Sequence, residues 1–229
     1  MNKKKIFNVA TYKRDSYLVK TLKSVQEQAD VINVMLNSHT NIPKNTYGLD
    51  LSKIKWYLTD NSIGDGYKFY KLEESDGYFF TIDDDIIYPA EYADYMIYKF
   101  HKYGGNNIIT LHGRSFCNFP TNSYYHGHCY SYPCLGDVKN DYVVHSGGTG
   151  VMMFHTDLLK FPYTDIKHAN MADVWIAKFA KERKIKITCV AHRCDYLKYQ
   201  AEVGNNTIWD EHHTNDTIQT QIINEVYGN

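Results

Sequence analysis

No segment of the 229 residues approaches the roughly 18 consecutive apolar residues of a membrane-spanning helix, so no transmembrane segment is expected. The basic opening Met1-Asn2-Lys3-Lys4-Lys5 is followed by an apolar run that breaks at Asn8, too short for the core of a secretory signal. Excess charge of either sign is also missing. Lysine and arginine total 25 against 26 acidic residues, a net charge of −1, which excludes a polycationic nucleic-acid binder. The five cysteines are an odd number and form no secreted disulfide framework. Cys129/Cys134 and Cys189/Cys194 share a C-x₄-C spacing with His126, His128 and His192 nearby, looser than the usual ligand pairs of a structural zinc site. Small buried hydrophobic cysteines are the preferred reading. A reducing, cytoplasmic setting is the expectation.

What is present reads as alternating strands and helices. Lys5–Thr11 (KIFNVAT) is a strand, Tyr12-Lys13-Arg14 a loop, and a helix capped by Asp15 or Ser16 runs to Ala29 with Leu18, Leu22 and Val25 on one face. Strands follow at Val31–Leu36 and Ile54–Leu58, then a Gly64-Asp65-Gly66 loop and a short helix Tyr67–Glu74. After a strand ending at Ile82, a helix Ala90–Tyr103 stops at Gly104-Gly105, and Asn107–Leu111 is a further strand. His112–Asp141 shows no period, and long irregular stretches inside compact domains are usually functional. Val143–Phe154 reads as two short strands around a Gly-rich bend, Asn170–Lys184 as an amphipathic helix, and Ile185–Val190 as the last strand. In the polar tail Ala201–Asn229, the residues Ile218, Ile222, Ile223 and Val226 predict a docked helix. There is no internal repeat. The order argues for βαβ units, a mainly parallel sheet and right-handed crossovers.

The chemistry concentrates in Gly77–Pro89, GYFFTIDDDIIYP. Three adjacent carboxylates, Asp83, Asp84 and Asp85, follow a short aromatic and β-branched strand. Buried together they repel and lose hydration, so a compensating charge is required; a hard divalent cation such as Mg²⁺ or Mn²⁺ is the usual one. At the carboxyl end of a parallel strand, this is where open α/β sheets bind ligands. The plain alternative is a solvated acidic turn before the helix near Pro89.

Taken in order, six features resemble the GT-A fold of nucleotide-sugar glycosyltransferases, especially small inverting family 2 enzymes. They are Ala10-Thr11-Tyr12-Lys13-Arg14 leading to Leu18 and Leu22, Asp60, Gly64-Asp65-Gly66-Tyr67-Lys68, Asp83-Asp84-Asp85, Gly147-Gly148-Thr149-Gly150, and Met171-Ala172-Asp173-Val174-Trp175. The resemblance covers roughly residues 6–190. It implies one α/β, Rossmann-like GT-A domain over residues 1–229: a mostly parallel twisted sheet flanked by helices, with a small additional antiparallel sheet. About 1–88 would bind the nucleotide, about 89–200 the acceptor, with 201–229 as a tail. Thr11, Tyr12, Arg14, Asp60, Lys68, Asp83 and Asp84 would hold a UDP- or GDP-linked sugar. Asp85 and Asp83 would ligate Mn²⁺ or Mg²⁺ in a DXD-type site, with a third ligand among His192, His212 and His213, His212 foremost. Gly147, Gly148, Thr149, Tyr124 and Tyr125 would face donor sugar and acceptor, with Tyr130 a further stacking candidate. Asp173 would be the general base. Asn37 replaces an acid common in the family, and Ala172 a common Glu, leaving Asp173 alone. The QxxRW motif of processive synthases is absent, which argues for transfer of a single sugar to a glycan or glycoprotein hydroxyl. Similar short domains occur in glycosylation proteins of large algal viruses, which would mean host cytoplasm.

Three other readings stay open. A sugar-phosphate nucleotidyltransferase would show a Gly-rich basic loop after the first strand, where Thr11-Tyr12-Lys13-Arg14 has no glycine. A glycoside hydrolase would pair Asp83 with Asp173 but leave the triplet unexplained. A non-catalytic nucleotide- or carbohydrate-binding module would lack a base.

Overall fold

The computed structural model describes residues 3–200 and 214–228. Its strands are β1 (Lys5–Thr11), β2 (Val31–Asn37), β3 (Ile54–Thr59), β4 (Tyr78–Ile82), β5 (Ile86–Ile87), β6 (Asn107–Thr110) and β7 (Gly113–Phe116). Six more follow: β8 (Cys129–Tyr132), β9 (Tyr142–Val144), β10 (Ser146–Gly147), β11 (Val151–His155), β12 (Lys186–Cys189) and β13 (Lys198–Tyr199). The α-helices are α1 (Asp15–Val25), α2 (Tyr92–Lys102), α3 (Ala172–Glu182) and α4 (Thr217–Tyr227).

The eight-stranded sheet has the order β3-β2-β1-β4-β11-β6-β12-β9. β1 lies parallel to both β2 and β4, with Phe7 opposite Ile32 and Phe80, and is buried on both faces, as a central parallel strand must be. The Phe7 and Phe80 rings stack with centroids 4.5 Å apart. Leu18, Leu22 and Val25 of α1 close that face; complete burial of each contributes about 2 kcal/mol. The polar exceptions are paired: Asn33 Nδ2 donates to Asn8 Oδ1 at 2.9 Å, and Asn8 Nδ2 to the Phe80 carbonyl at 3.2 Å. β11 and β9 run against the rest. A three-stranded antiparallel sheet, β10-β7-β8, and a β13-β5 pair complete the architecture.

Chain order reverses direction across the sheet at β1, with β2 and β3 on one side and β4 on the other. Ligands of open α/β sheets bind in the crevice at such a switch point, outside the carboxyl ends of the strands. Asp83 follows directly on β4 there. Because β11 is antiparallel to β4, with Val151 opposite Ile82, the residues preceding β11 arrive at that same end.

Several elements differ from the sequence expectation. α1 stops at Val25 rather than Ala29. The side chain of Gln28, beyond the helix, donates to the Pro89 carbonyl at 2.8 Å and accepts from Ala93 N–H at 2.8 Å, a tie that displaces continued helix. The expected helix Tyr67–Glu74 is a 3₁₀ helix, Gly64–Phe69, followed by turns. Phe69 and Leu72, both fully buried, sit at the three-residue spacing that suits the tighter winding. The irregular region holds β7 and β8, whose pairing with each other was invisible to periodicity. The tail helix does form: α4 packs against α3 through Ile222 and Ile223, whereas Ile218 is 40% exposed. Among the described residues no helix is long and apolar enough to cross a membrane.

One ion-pair knot ties α2 to the end of β12. Lys99 Nζ contacts Asp141 Oδ1 at 2.7 Å, Lys102 Nζ reaches Oδ2 at 2.8 Å, and Tyr103 OH and Ala191 N–H donate to the same carboxylate. Burial opposes its charge, but these four donors more than offset that and hold the Asp141 carboxyl well below its usual range. Lys99 is itself 8% exposed, so removing its partner strands a buried cation. Asp141→Ala is expected to lower unfolding stability by about 3 kcal/mol, measured by urea denaturation.

Candidate active site

Asp83 extends past β4 with its N–H facing the Tyr88 hydroxyl at 2.9 Å and the Gly150 carbonyl at 3.2 Å; Tyr88 OH donates to that same carbonyl at 2.6 Å. Its carboxylate pairs with Lys68 Nζ. Lys68 is 4% exposed, so it is no solvated surface cation. Burial opposes its charge, but the carboxylates of Asp83 and Asp65 override that and raise its pKa. Gly150 abuts Asp83 so closely that a Cβ there would lie 1.8 Å from Oδ2. This position takes glycine because of close approach, not turn geometry.

Asp84 turns inward. Thr11 Oγ1 donates to its Oδ2, and the Arg14 guanidinium lies 3.5 Å from its Oδ1. Desolvation raises its pKa against both partners. Asp85 Oδ2 sits 3.0 Å from the same guanidinium. Burial, with Asp83 and Asp84 adding repulsion, pushes the Asp85 carboxyl up to about 7. Beneath the triplet, Thr21 Oγ1 donates toward the carbonyls of Asp84 and Ile86, at 2.9 and 2.8 Å, and accepts from Gln200 Nε2 at 3.1 Å.

Asp173 occupies the first turn of α3. Its Oδ1 accepts from both Thr149 N–H at 2.7 Å and Thr149 Oγ1 at 2.8 Å. Thr149 is 2% exposed and belongs to the bend that carries Gly150, so Asp173 is locked to the segment touching Asp83. Both acids line one cleft of about 420 Å³, together with Lys68, Tyr124, Tyr125 and Gly148. Tyr124 is 4% exposed; its hydroxyl pairs with Ser146 Oγ at 2.8 Å, and the Arg114 guanidinium stands over its ring at 5.5 Å and over Tyr125 at 5.1 Å.

The structure gathers some of the sequence candidates and separates others. Lys68, Asp83, Gly148, Thr149, Tyr124, Tyr125 and Asp173 share the cleft. Thr11 and Asp84 are buried against each other, and Gly147 packs under the bend beside Ile187 and Thr110. Tyr12 is 47% exposed. Asp60 is exposed too, and hydrogen bonds from Tyr67 OH and Ser62 N–H lower its carboxyl to about 2. Asn37 is spent inside the fold, donating to Asn61 and Gly64 and accepting from Thr59. Among the third-ligand candidates, both ring nitrogens of His192 face carbonyls, Val190 at 2.8 Å and Pro133 at 3.3 Å, whereas His212 and His213 lie outside the described residues. Tyr130 is 65% exposed on β8, outside the cleft. The two C-x₄-C pairs form no disulfide, and among the described residues no three histidine, cysteine or acidic side chains gather as a ready metal cluster.

Four cleft residues escaped sequence reasoning: Asp65, His112, Arg114 and Gln219. Asp65 sits in the Gly-rich segment, and its Oδ1 accepts the Ala172 N–H at 3.3 Å. Burial keeps His112 below its ordinary range, with Asp173 pulling the other way and Arg114 reinforcing burial.

No family model matches the chain, and no curated protein matches it. Among solved structures, residues 1–349 of Staphylococcus aureus TarS superpose with a TM-score of 0.53 over 84% of this chain, at 14% identity. TarS is a glycosyltransferase. The fold is glycosyltransferase-like. The chain spans 59% of that TarS structure.

Asp65 gives this cleft a testable pH dependence. Burial, opposed by Lys68 and reinforced by Asp173, pushes its carboxyl up to about 7. An unfolded aspartate titrates near ~3.9, so the native state binds the proton more tightly. Stability from this group is full below about pH 4 and is lost as pH rises through about 7, by roughly 1.4 kcal/mol per pH unit inside that window. Asp65→Asn should remove this slope: its melting temperature exceeds the wild type's at pH 8 and converges with it at pH 4. Parallel melting curves would show that Asp65 is ionised throughout.

Proposed function

We propose that the protein is a nucleotide-sugar-dependent glycosyltransferase of the small inverting, family 2-like kind, moving one sugar from a UDP- or GDP-linked donor to a hydroxyl of a glycan or glycoprotein. The observation that carries this reading is the pairing, across one cleft, of Asp83, the first carboxylate of the triplet at a strand end, with a separately positioned carboxylate, Asp173, held through Thr149. Neither a nucleotidyltransferase nor a simple binding module needs that second acid. The glycosyltransferase-like fold is consistent with it.

The residues present fit a divalent cation. Asp83 and Asp85 offer hard oxygen donors, and the desolvated, crowded Asp85 carboxyl is short of positive charge even with Arg14 beside it. Two carboxylates completed by substrate phosphates are the usual Mg²⁺ arrangement. Bound there, Mg²⁺ or Mn²⁺ would supply Lewis-acid stabilisation of the departing diphosphate.

The chain's own groups do the rest. Lys68, fixed by Asp83 and Asp65, keeps a buried positive charge at the cleft floor. Asp173 has Oδ1 committed to Thr149, which orients the carboxylate and leaves Oδ2 for the acceptor proton. Glycine at 148 and 150 lets the bend seat against His112 and Asp83, where any side chain would collide.

Asp173→Asn is expected to reduce transfer at least about a thousandfold while leaving nucleotide affinity unchanged, given the usual weight of a positioned base. Unchanged turnover would remove Asp173 from the mechanism. In calorimetry, UDP or GDP should bind with Mn²⁺ and lose affinity in EDTA, and Asp85→Ala should bind no better with Mn²⁺ than without. Equal affinity in chelator and metal would exclude the metal role, and no binding of either nucleotide would overturn the transferase reading.

A further inference from the structure

Gln219, in the first turn of α4, is 2% exposed and lines the same cleft as Asp173. Neither Oε1 nor Nε2 has a hydrogen-bond partner, and among the buried amides of the described residues it is the only one unpaired at both ends. Such burial is unfavourable, because each end has given up water for nothing. A side chain free to move would turn outward.

The helix does not allow that. Asp216 Oδ2 accepts from Ser123 Oγ and Tyr125 N–H, at 2.5 and 2.7 Å. Thr220 Oγ1 accepts from Tyr124 N–H at 2.8 Å. Asn224 exchanges two bonds with the Thr121 backbone, at 2.7 and 2.8 Å. Ile222 and Ile223 anchor the opposite side in the core shared with α3. The N-terminal turns of α4 are therefore bolted to the segment that carries Tyr124 and Tyr125. Gln219 is held in place with its hydrogen-bonding capacity unused.

We propose that Gln219 is a substrate-binding residue that takes two adjacent hydroxyls on the pyranose ring of a neutral acceptor sugar; this rests on the glycosyltransferase reading. A primary amide presents one acceptor oxygen and one donor nitrogen side by side, which matches a vicinal diol, where each hydroxyl both donates and accepts. The amide carries no charge, so it favours a neutral ring over an anionic group. The acceptor is the substrate in question because α4 packs on α3, which carries Asp173, and the base must touch the acceptor hydroxyl. Lys68 and Asp83, the groups suited to the donor phosphates, come from the N-terminal half of the chain. An unsatisfied polar group retained in a well-anchored wall is the expected mark of a site that is completed by its ligand.

The test uses the full chain with UDP or GDP and Mn²⁺. Methyl glucoside, methyl galactoside and methyl mannoside are titrated by saturation-transfer NMR against wild type, Gln219→Met and Gln219→Leu. At least one glycoside is expected to bind wild type, with affinity about tenfold lower in both variants, corresponding to two ordinary hydrogen bonds. Nucleotide affinity should be unchanged, and the melting temperatures of both variants should equal or exceed the wild type's, because an unpaired buried amide has been replaced by apolar atoms. Unchanged glycoside affinity, binding of no glycoside by a wild type that binds nucleotide, or a marked fall in melting temperature in both variants would each overturn the proposal. A wild type that binds no nucleotide, yet loses glycoside affinity in both variants, would keep Gln219 as a sugar contact and remove the transferase reading.

Discussion

Three adjacent carboxylates at the end of a buried strand have to be neutralised by groups brought from elsewhere, and much of this fold is arranged to do so. Lys68 comes from the segment after β3, Arg14 from the loop after β1, and Thr21 from the middle of α1. Each reaches the triplet only if β1, β2 and β4 are in register and α1 is seated on the core. Folding and site assembly are thus one event. The compensation is incomplete: Asp85 has the Arg14 guanidinium at 3.0 Å, yet it stays desolvated and crowded by Asp83 and Asp84. That residual imbalance is what a cation with substrate phosphates would relieve.

The second half of the cleft is built by topology. β11 runs against β4 and delivers Thr149 and Gly150 to the strand end where the acids lie. Thr149 then fixes Asp173, and Gly150 fits against Asp83 without room for a single carbon more. The C-terminal helix closes the assembly by gripping the segment of Tyr124 and Tyr125. What looked like a polar tail is a wall of the site. The cost of the arrangement shows in its polar groups: a buried amide without partners, a histidine whose pKa burial lowers, an aspartate pushed toward protonation. Such departures from full satisfaction concentrate where ligands act, because binding is what completes them.

The sequence by itself determined the α/β alternation, the mainly parallel sheet and the place of the acids at a strand end. These follow from local periodicity and strand composition, which survive in any context: KIFNVAT and YFFTI hardly have another use. The resemblance carried by Met171-Ala172-Asp173-Val174-Trp175 names Asp173. Tertiary structure alone decided the pairing. Lys68 reads as a donor contact, and its burial against Asp83 could not be seen, since that partner lies outside its own segment. Asp84 looked like a ligand contact and is tied to Thr11, while Asn37 is absorbed into loop bonds. β7 and β8 had no period to betray them, because their pairing depends on each other and on β10. Gln219 carried no motif at all. Its meaning lies in what it fails to touch, and only the packed chain shows that.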